Sequence, residues 1–282
     1  SNELLMQRRY AVPRRHSVSF LWSCMLPYIT IFAHRVAMYG VMAALGTALA
    51  VLYLRRAEKR FPETAADAEL VFIYGLLGMF VGAKLLSLLT VLPELRADLP
   101  LLTSDIGAFF RKYLYAGFVF YGGLYGILSA VWLYAKLAGC QFALLARAYL
   151  PIVPLIHGFG RLGCFCVGCC YGKPSERLGI AFAHSEIAPN GVPLLPVQLI
   201  EAALVFGLFF LLWQMSRRGM DGRRMLGWYL LVYSVGRFVL EFFRGDTYRG
   251  FIGILSVSQV IALLSILGGG LLLWRTRAPR NA

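Results

Sequence analysis

The sequence predicts an all-α integral membrane protein of about seven transmembrane helices, with an N-terminal apolar arm and an outer-face loop region. Three observations carry that prediction. First, 59% of the 282 residues are hydrophobic, only 15% are charged, and mean hydropathy is +0.67. A soluble domain carries about 25% charged residues. Second, crossing a roughly 30 Å hydrocarbon core takes about 20 apolar residues, and seven stretches qualify: 36–54, 69–91, 116–136, 140–161, 196–215, 225–243 and 254–274. Third, the net charge of +14, from 28 Lys+Arg against 14 Asp+Glu, sits in short clusters between those stretches. Charge so placed excludes a nucleic-acid partner, and the composition excludes a disordered chain, collagen and a disulfide-rich secreted scaffold.

The elements follow in order. An apolar stretch, Phe20–Phe32, is shorter than a span and contains Pro27. Arg8, Arg9, Arg14 and Arg15 precede it as in a signal peptide, but no small-residue cleavage site follows. It is therefore expected to remain in the mature chain, as an interfacial arm within residues 1–35 or as a short extra span. Arg55-Arg56-x-x-Lys59-Arg60 follows the first span. Arg217, Arg218, Arg223 and Arg224 follow the fifth, and Arg275, Arg277 and Arg280 the seventh. Alternation places all three clusters on one face, the cytoplasmic one by the positive-inside rule, with the C-terminus inside. The N-terminal arginines oppose that orientation unless Phe20–Phe32 also crosses. The connections 93–115 and 162–195 and the 244–253 turn then face outward, where loops often carry function. With no internal repeat or soluble segment, residues 1–282 read as a single integral membrane domain with its core at 36–275.

Within the apolar runs a charge costs several kcal/mol unless it is paired or faces a wet cavity. Lys84, His157, Arg161, Glu201, Arg237, Glu241 and, at the exit of the sixth span, Arg244 stand in such positions. Tyr233, Arg237, Glu241 and Arg244 are spaced by four, four and three, which places them on one helix face. Arg237 can pair with Glu241, His157 and Arg161 are one turn apart, and Gln198 and Glu201 are at i, i+3. Structural salt bridges between helices are one use of such groups. Cations converging near a headgroup zone point instead to an anion site, and arginine suits a phosphodiester.

Glycines recur in Tyr121-Gly122-Gly123-x-Tyr125-Gly126 and in Gly158-x-Gly160-Arg161-x-Gly163, where they allow close approach of a backbone or a ligand. The run beside Arg161 also reads as a helix break lining a cavity. Four of the six cysteines lie in Cys164-Phe165-Cys166-Val167-Gly168-Cys169-Cys170, while Cys24 and Cys140 are isolated. The cluster is open to three readings: thiolate ligands of a metal, a disulfide such as Cys164 to Cys169 or Cys170, or polarizable filler around a glycine turn. No cofactor or metal is counted among the expected requirements.

Together these residues resemble the prolipoprotein diacylglyceryl transferase family. The resemblance rests on His157-Gly-Phe-Gly-Arg161-Leu-Gly-Cys-Phe165, the Gly-Gly pair after Tyr121, Pro196-x-Gln198-Leu199-x-Glu201, Tyr233-x-x-x-Arg237-Phe238-x-x-Glu241-Phe242-Phe243-Arg244 and Ser256-x-Ser258-Gln259. It covers about residues 35–275. It implies transfer of the diacylglyceryl group of phosphatidylglycerol, an anionic phospholipid, to the cysteine thiol of a protein or peptide acceptor, with release of glycerol phosphate. By resemblance Arg161 and Arg237 handle phosphate, and Glu241 and Arg244 are their acidic and basic partners. The bacterial inner membrane, with the site toward the outer leaflet, is the implied location.

The chain also departs from the family pattern. Tyr121 stands where a histidine is expected, Lys84 where an arginine is, and Leu194-Leu195 where Arg-His is. Cys164, Val167 and Cys169 replace two asparagines and a glutamate. Tyrosine, with a pKa near 10, is a poor base for a thiol near 8.5. Either His157 or Glu201 then serves as base, or Tyr121 acts as a hydrogen-bond donor, or the acceptor chemistry differs. The expectation is a divergent paralogue with Arg161, Arg237, Glu241, Tyr121 and His157 catalytic. Substrate binding is expected from Arg244, Lys84, Gly122, Gly123, Gln198, Glu201, Tyr233, Cys164 and Cys169. The alternatives are a thiol-dependent membrane enzyme using Cys164–Cys170 and a catalytically silent phospholipid-binding paralogue.

Overall fold

A computed structural model describes residues 26–114, 117–246 and 250–277. Arg8, Arg9, Arg14, Arg15, Cys24, the first part of Phe20–Phe32 and Arg280 lie outside the described residues. Contacts gather the chain into two compact units, residues 1–56, 150–220 and 224–282 in one, 57–149 and 221–223 in the other.

The described residues open with a hairpin, β1 (Tyr28–Ile31) against β2 (His34–Ala37). Phe32 and Ala33 form its two-residue loop, both at positive φ (45° and 65°), as such loops require. The end of the Phe20–Phe32 stretch is thus strand and turn, and no helical span reaches Phe32. The β-branched Ile29, Thr30 and Ile31 favour this outcome.

The helices are α1 (Met38–Arg60), a 3-10 turn (Pro62–Asp67), α2 (Ala68–Thr90), α3 (Leu92–Ala97), α4 (Leu101–Ser104), α5 (Ile106–Leu114), α6 (Phe120–Ala138), α7 (Phe142–Tyr149), α8 (Ile152–Val167), α9 (Val197–Arg217), α10 (Gly222–Glu241) and α11 (Val257–Arg275). Between α8 and α9 lie the short paired strands β3 (Ile180–Ala181) and β4 (Pro193–Leu194), and before α11 the hairpin β5 (Phe251–Ile252) and β6 (Leu255–Ser256). Among the described residues, four helical stretches are long and apolar enough to cross a membrane: α1, Pro62–Thr90, α9 and α11. A fifth arises if α7 and α8 are one broken span.

That break corrects the expected 140–161 span. The helix stops at Leu150-Pro151, because proline lacks an N–H and disfavours helix in the residue before it. It resumes at Ile152 and runs on to Val167, through Gly158, Gly160 and Gly163 without interruption. The expected break beside Arg161 is therefore absent. The connection at 93–115 is largely helical, and 162–195 begins as helix. The rest of the latter folds over its own small core of Phe165, Phe182, Ala188, Val192 and Leu194. Ser256-x-x-Gln259 is a capping box on α11: Gln259 N donates to Ser256 Oγ (3.2 Å), and Ser256 N donates to Gln259 Oε1 (3.0 Å).

In the second unit, α2 and α6 pack backbone to backbone. A Cβ at Gly82 or Gly122 would strike the carbonyl of the other, and one at Gly126 would strike that of Gly78. Gly123 sits against Met79, whose Cγ a Cβ would meet at 3.2 Å. Gly126→Val is therefore expected to destabilise by about 2 kcal/mol or more through overpacking. Gly207→Ala, in open space on α9, gains helix propensity of about 0.5–1 kcal/mol. Thermal unfolding of both variants in detergent checks the contrast; a wild-type melt for Gly126→Val refutes the close packing.

Candidate functional site

The first unit contains the buried charges. On α8, His157, Arg161 and Cys164 follow at intervals of four and three, so one face carries all three. Residues Gln198 and Glu201 occupy the first turns of α9, immediately after Pro196 ends the preceding loop. Helix α10 presents Tyr233, Arg237 and Glu241, again one per turn. All of these are buried, Glu201 and Gln198 to 1% exposure and Arg237 to 4%.

Glu201 is the hub. Its Oε1 accepts from the Tyr233 hydroxyl (3.1 Å), forms an ion pair with Arg161 Nη2 (3.2 Å), and lies 4.0 Å from Arg237 Nε and 3.6 Å from His157 Nε2. Arg237 Nη2 pairs with Glu241 Oε2 at 2.7 Å. Arg161 Nε donates to His157 Nε2 (3.2 Å). In that arrangement His157 Nε2 acts as an acceptor. Its Nε2 lone pair is engaged by a guanidinium, and the Glu201 carboxylate is engaged by a guanidinium and a phenol. The Tyr233 ring stands edge-on to His157 (5.3 Å) and stacks on Tyr229 (5.9 Å, 7° between planes). Among the described residues, Arg237 Nη1 is buried without a hydrogen-bond partner, as is Gln198 Oε1. A buried unpaired donor on a charged side chain is costly and calls for an acceptor.

Arg244 differs from expectation. Helix α10 ends at Glu241, so Arg244 does not share its face; it lies in the following turn. Backbone bonds hold that turn to the loop after α8: Lys173 N donates to Phe243 O (2.8 Å) and Gly245 N to Tyr171 O (3.0 Å). On its other edge the same loop bonds to Leu195, through Gly172 N to Leu195 O and Leu195 N to Lys173 O, both at 3.0 Å. Gly172 and Gly245 are needed there, since a Cβ on either would meet backbone oxygen at 2.5 Å. The Arg244 guanidinium is bound by both oxygens of Asp246, through Nε at 2.9 Å and through Nη2. Asp246 was not singled out from the sequence, though its i+2 spacing is a usable signal.

A local turn folds the cysteine loop back on the end of α8: Gly168 N and Cys169 N both donate to Cys164 O, at 2.9 and 3.1 Å. Cys164, Cys169 and Cys170 converge with their sulfur atoms all within 4.8 Å of one another, and no disulfide joins any of the five described cysteines. Cys170 holds a left-handed backbone (φ 58°), a conformation few non-glycine residues adopt. Gln198 Nε2 fixes the loop by donating to Cys169 O at 2.7 Å. Hydrogen bonds from Cys164 and Cys169, and then the charges of Arg161 and Arg244, hold the Cys170 thiol well below its usual value despite burial. Tyr39, on α1, also faces the three sulfurs electrostatically, and a Cβ on Gly163 would meet its ring at 3.0 Å. Tyr39 was not among the expected site residues, and Cys170 stood only in the alternative thiol, disulfide and metal readings. An adjacent Cys-Cys pair gives no hint of which sulfur turns inward.

The first unit therefore joins His157, Arg161, Glu201, Gln198, Tyr233, Arg237, Glu241, Arg244, Cys164 and Cys169. Tyr121, Gly122, Gly123 and Lys84 belong to the second unit. There Tyr121 is buried and Lys84 lies over the Phe118 ring at 5.3 Å.

The chemistry available in the first unit is that of a buried polar cluster with a held guanidinium offering an unused donor, beside three thiols. A family profile described as prolipoprotein diacylglyceryl transferase matches residues 27–275. The phosphatidylglycerol–prolipoprotein diacylglyceryl transferase of Clostridium tetani is 36% identical over 244 residues, 85% of this chain and 92% of that protein. A second such transferase, from Clostridium perfringens, is 34% identical over 248 residues, covering 86% and 91% of the two chains. One from Pseudomonas fluorescens is 30% identical over 270 residues, covering 91% and 97%.

Proposed function

Because this chain belongs to the prolipoprotein diacylglyceryl transferase family, we propose that it moves a diacylglyceryl group from phosphatidylglycerol to the cysteine thiol of a lipoprotein precursor. The observation that carries the assignment of residues is the arginine pair around Glu201. Arg161 and Arg237 come from different helices, both within 4.0 Å of one carboxylate oxygen, and Arg237 keeps Nη1 without a partner.

In this reading the lipid phosphodiester takes the place that Nη1 of Arg237 lacks, with Arg161 as the second donor. The acceptor sulfur attacks the glycerol carbon that bears the phosphate. The carbon–oxygen bond breaks, and the electron pair leaves with glycerol phosphate. Charge grows on the departing phosphate, where donors fixed in advance stabilise the transition state most. Glu241 and Glu201 hold the guanidinium groups in place so that little rearrangement accompanies the reaction. Arg244, paired with Asp246, adds charge near the thiols.

The same reading makes α6 and α10, at 19 and 20 residues, spans as well. With α7 and α8 as one broken span, the total is seven. Arg55, Arg56, Lys59 and Arg60 then face the cytoplasm of a bacterial inner membrane together with the C-terminus, and the site opens toward the outer leaflet.

The test is reconstitution of the purified chain in liposomes with phosphatidylglycerol and a peptide bearing a lipobox cysteine. Mass spectrometry is expected to find the peptide heavier by one diacylglyceryl group, and the same peptide with serine unchanged. Tight lipid binding without product would instead identify a silent lipid-binding paralogue.

A further inference from the structure

Spacing alone does not choose among filler, a disulfide and metal ligands for the cysteine cluster; the placement of the sulfurs does. We propose that Cys164, Cys169 and Cys170 are the three protein ligands of a zinc ion whose fourth position takes the acceptor thiol. Capture of the acceptor thiol by zinc rests on the function proposed above; the metal site itself rests on geometry.

Three sulfurs within 4.8 Å of one another match a tetrahedral zinc site. Zinc–sulfur bonds of about 2.3 Å place ligand sulfurs roughly 3.8 Å apart. Three ligands with one open position is the pattern of catalytic rather than structural zinc. The cluster is built rather than incidental. Cys170 is turned inward at φ 58°, and the loop is pinned by Gln198 and stitched between Phe243–Gly245 and Leu195. Such strain persists where surrounding structure enforces it, and it concentrates at functional sites. The charge also balances. Zinc with three thiolates carries −1 and with a fourth −2, and Arg161 acts on all three sulfurs while Arg244 acts on Cys170.

The site supplies what the rest of the cluster lacks. The His157 lone pair is taken by Arg161, and Glu201 is tied to Arg161 and Tyr233. A coordinated thiol needs neither as base, since zinc binds it as thiolate and its proton passes to solvent. The zinc-held sulfur then attacks the glycerol carbon, the carbon–oxygen bond to phosphate breaks, and the phosphate leaves with the electron pair. The thioether formed is a weaker ligand and dissociates. Cys164 lies three residues beyond Arg161 on α8, so the held nucleophile and the guanidinium for its leaving group share one helix face.

The test uses the full chain, purified in detergent under reducing conditions. Zinc titration against a chromophoric chelator is expected to give one site per chain. Cobalt(II) in its place is expected to show thiolate charge-transfer absorption and tetrahedral d–d bands. A lipobox peptide with cysteine shifts those bands, and its serine counterpart does not. Cys169→Ser and Cys170→Ser each weaken zinc binding about tenfold or more, whereas Cys166→Ser leaves it unchanged. No thiolate–cobalt band in the wild type overturns the site, as does a disulfide between two of the three cysteines or copper(I) in place of zinc. Full lipid transfer by a Cys169→Ser protein that binds no zinc overturns the role and leaves the transferase reading standing. A peptide-dependent cobalt shift in a wild type that makes no lipidated product supports the site and removes the transferase reading instead.

Discussion

Arg237→Ala is expected to lower kcat/KM for lipidation of a cysteine peptide by about 10²–10³-fold, the loss seen when one fixed donor to a developing anion is removed. Arg237 is gripped by Glu241 at 2.7 Å and lies 4.0 Å from Glu201, so its orientation is set before any lipid arrives. Its Nη1 has no hydrogen-bond partner among the described residues. Arg237→Lys preserves the charge but not the planar fork, and is expected to recover only part of the loss. Glu241→Gln, which slackens the grip, should cost less than Arg237→Ala. Because the alanine variant also strips a buried carboxylate of its counter-ion, thermal unfolding is measured alongside. A variant that folds normally and transfers lipid within about twofold of wild type would remove Arg237 from the phosphate site.

The second large effect concerns stability. Glu201→Ala is expected to cost about 3–5 kcal/mol, because removing one partner of a buried ion pair strands the other. Arg161 loses its carboxylate at 3.2 Å, and the Tyr233 hydroxyl loses its acceptor at 3.1 Å. The fall should appear as a lower melting temperature in detergent at fixed protein concentration. The double variant Arg161→Met/Glu201→Leu removes both charges and is expected to melt well above Glu201→Ala, since a buried pair replaced by apolar groups of similar volume is often neutral or better. Additivity of the two single changes in that double variant would show that the residues do not interact.

Charges in apolar runs were the most legible part of the site. His157, Arg161, Glu201, Arg237 and Glu241 stand out because such groups are expensive in lipid, and helical spacing groups each pair without reference to any structure. Sequence could not tell that Glu201 would be the centre, since that depends on α8, α9 and α10 converging. Arg244 was misassigned for a local reason: the i+3 rule continues a helix that in fact ends at Glu241. The break at Pro151 was readable from proline chemistry but was obscured by the continuous hydropathy on either side. Glycine counts misled near Arg161, where Gly158, Gly160 and Gly163 stay helical. In the second unit the same residue type performs the packing task that its spacing implies, with Gly82, Gly122 and Gly126 allowing α2 and α6 to touch. The cysteine cluster was visible as composition and ambiguous as chemistry, because Cys164, Cys169 and Cys170 converge through a turn that spacing does not reveal: Gly168 and Cys170 turn left-handed, and Cys169 N donates back to Cys164 O at 3.1 Å.

The left-handed backbone of Cys170 sets a conflict between folding and function. Glycine tolerates φ 58° freely, whereas a side chain there costs about 1 kcal/mol or more. A selection for thermostability alone, applied to metal-free protein, should therefore enrich Cys170→Gly. The same selection run with zinc present should retain cysteine, because ligand binding to the folded state adds stability that outweighs the backbone strain. The residue that wins at position 170 thus reports which pressure the protein has answered.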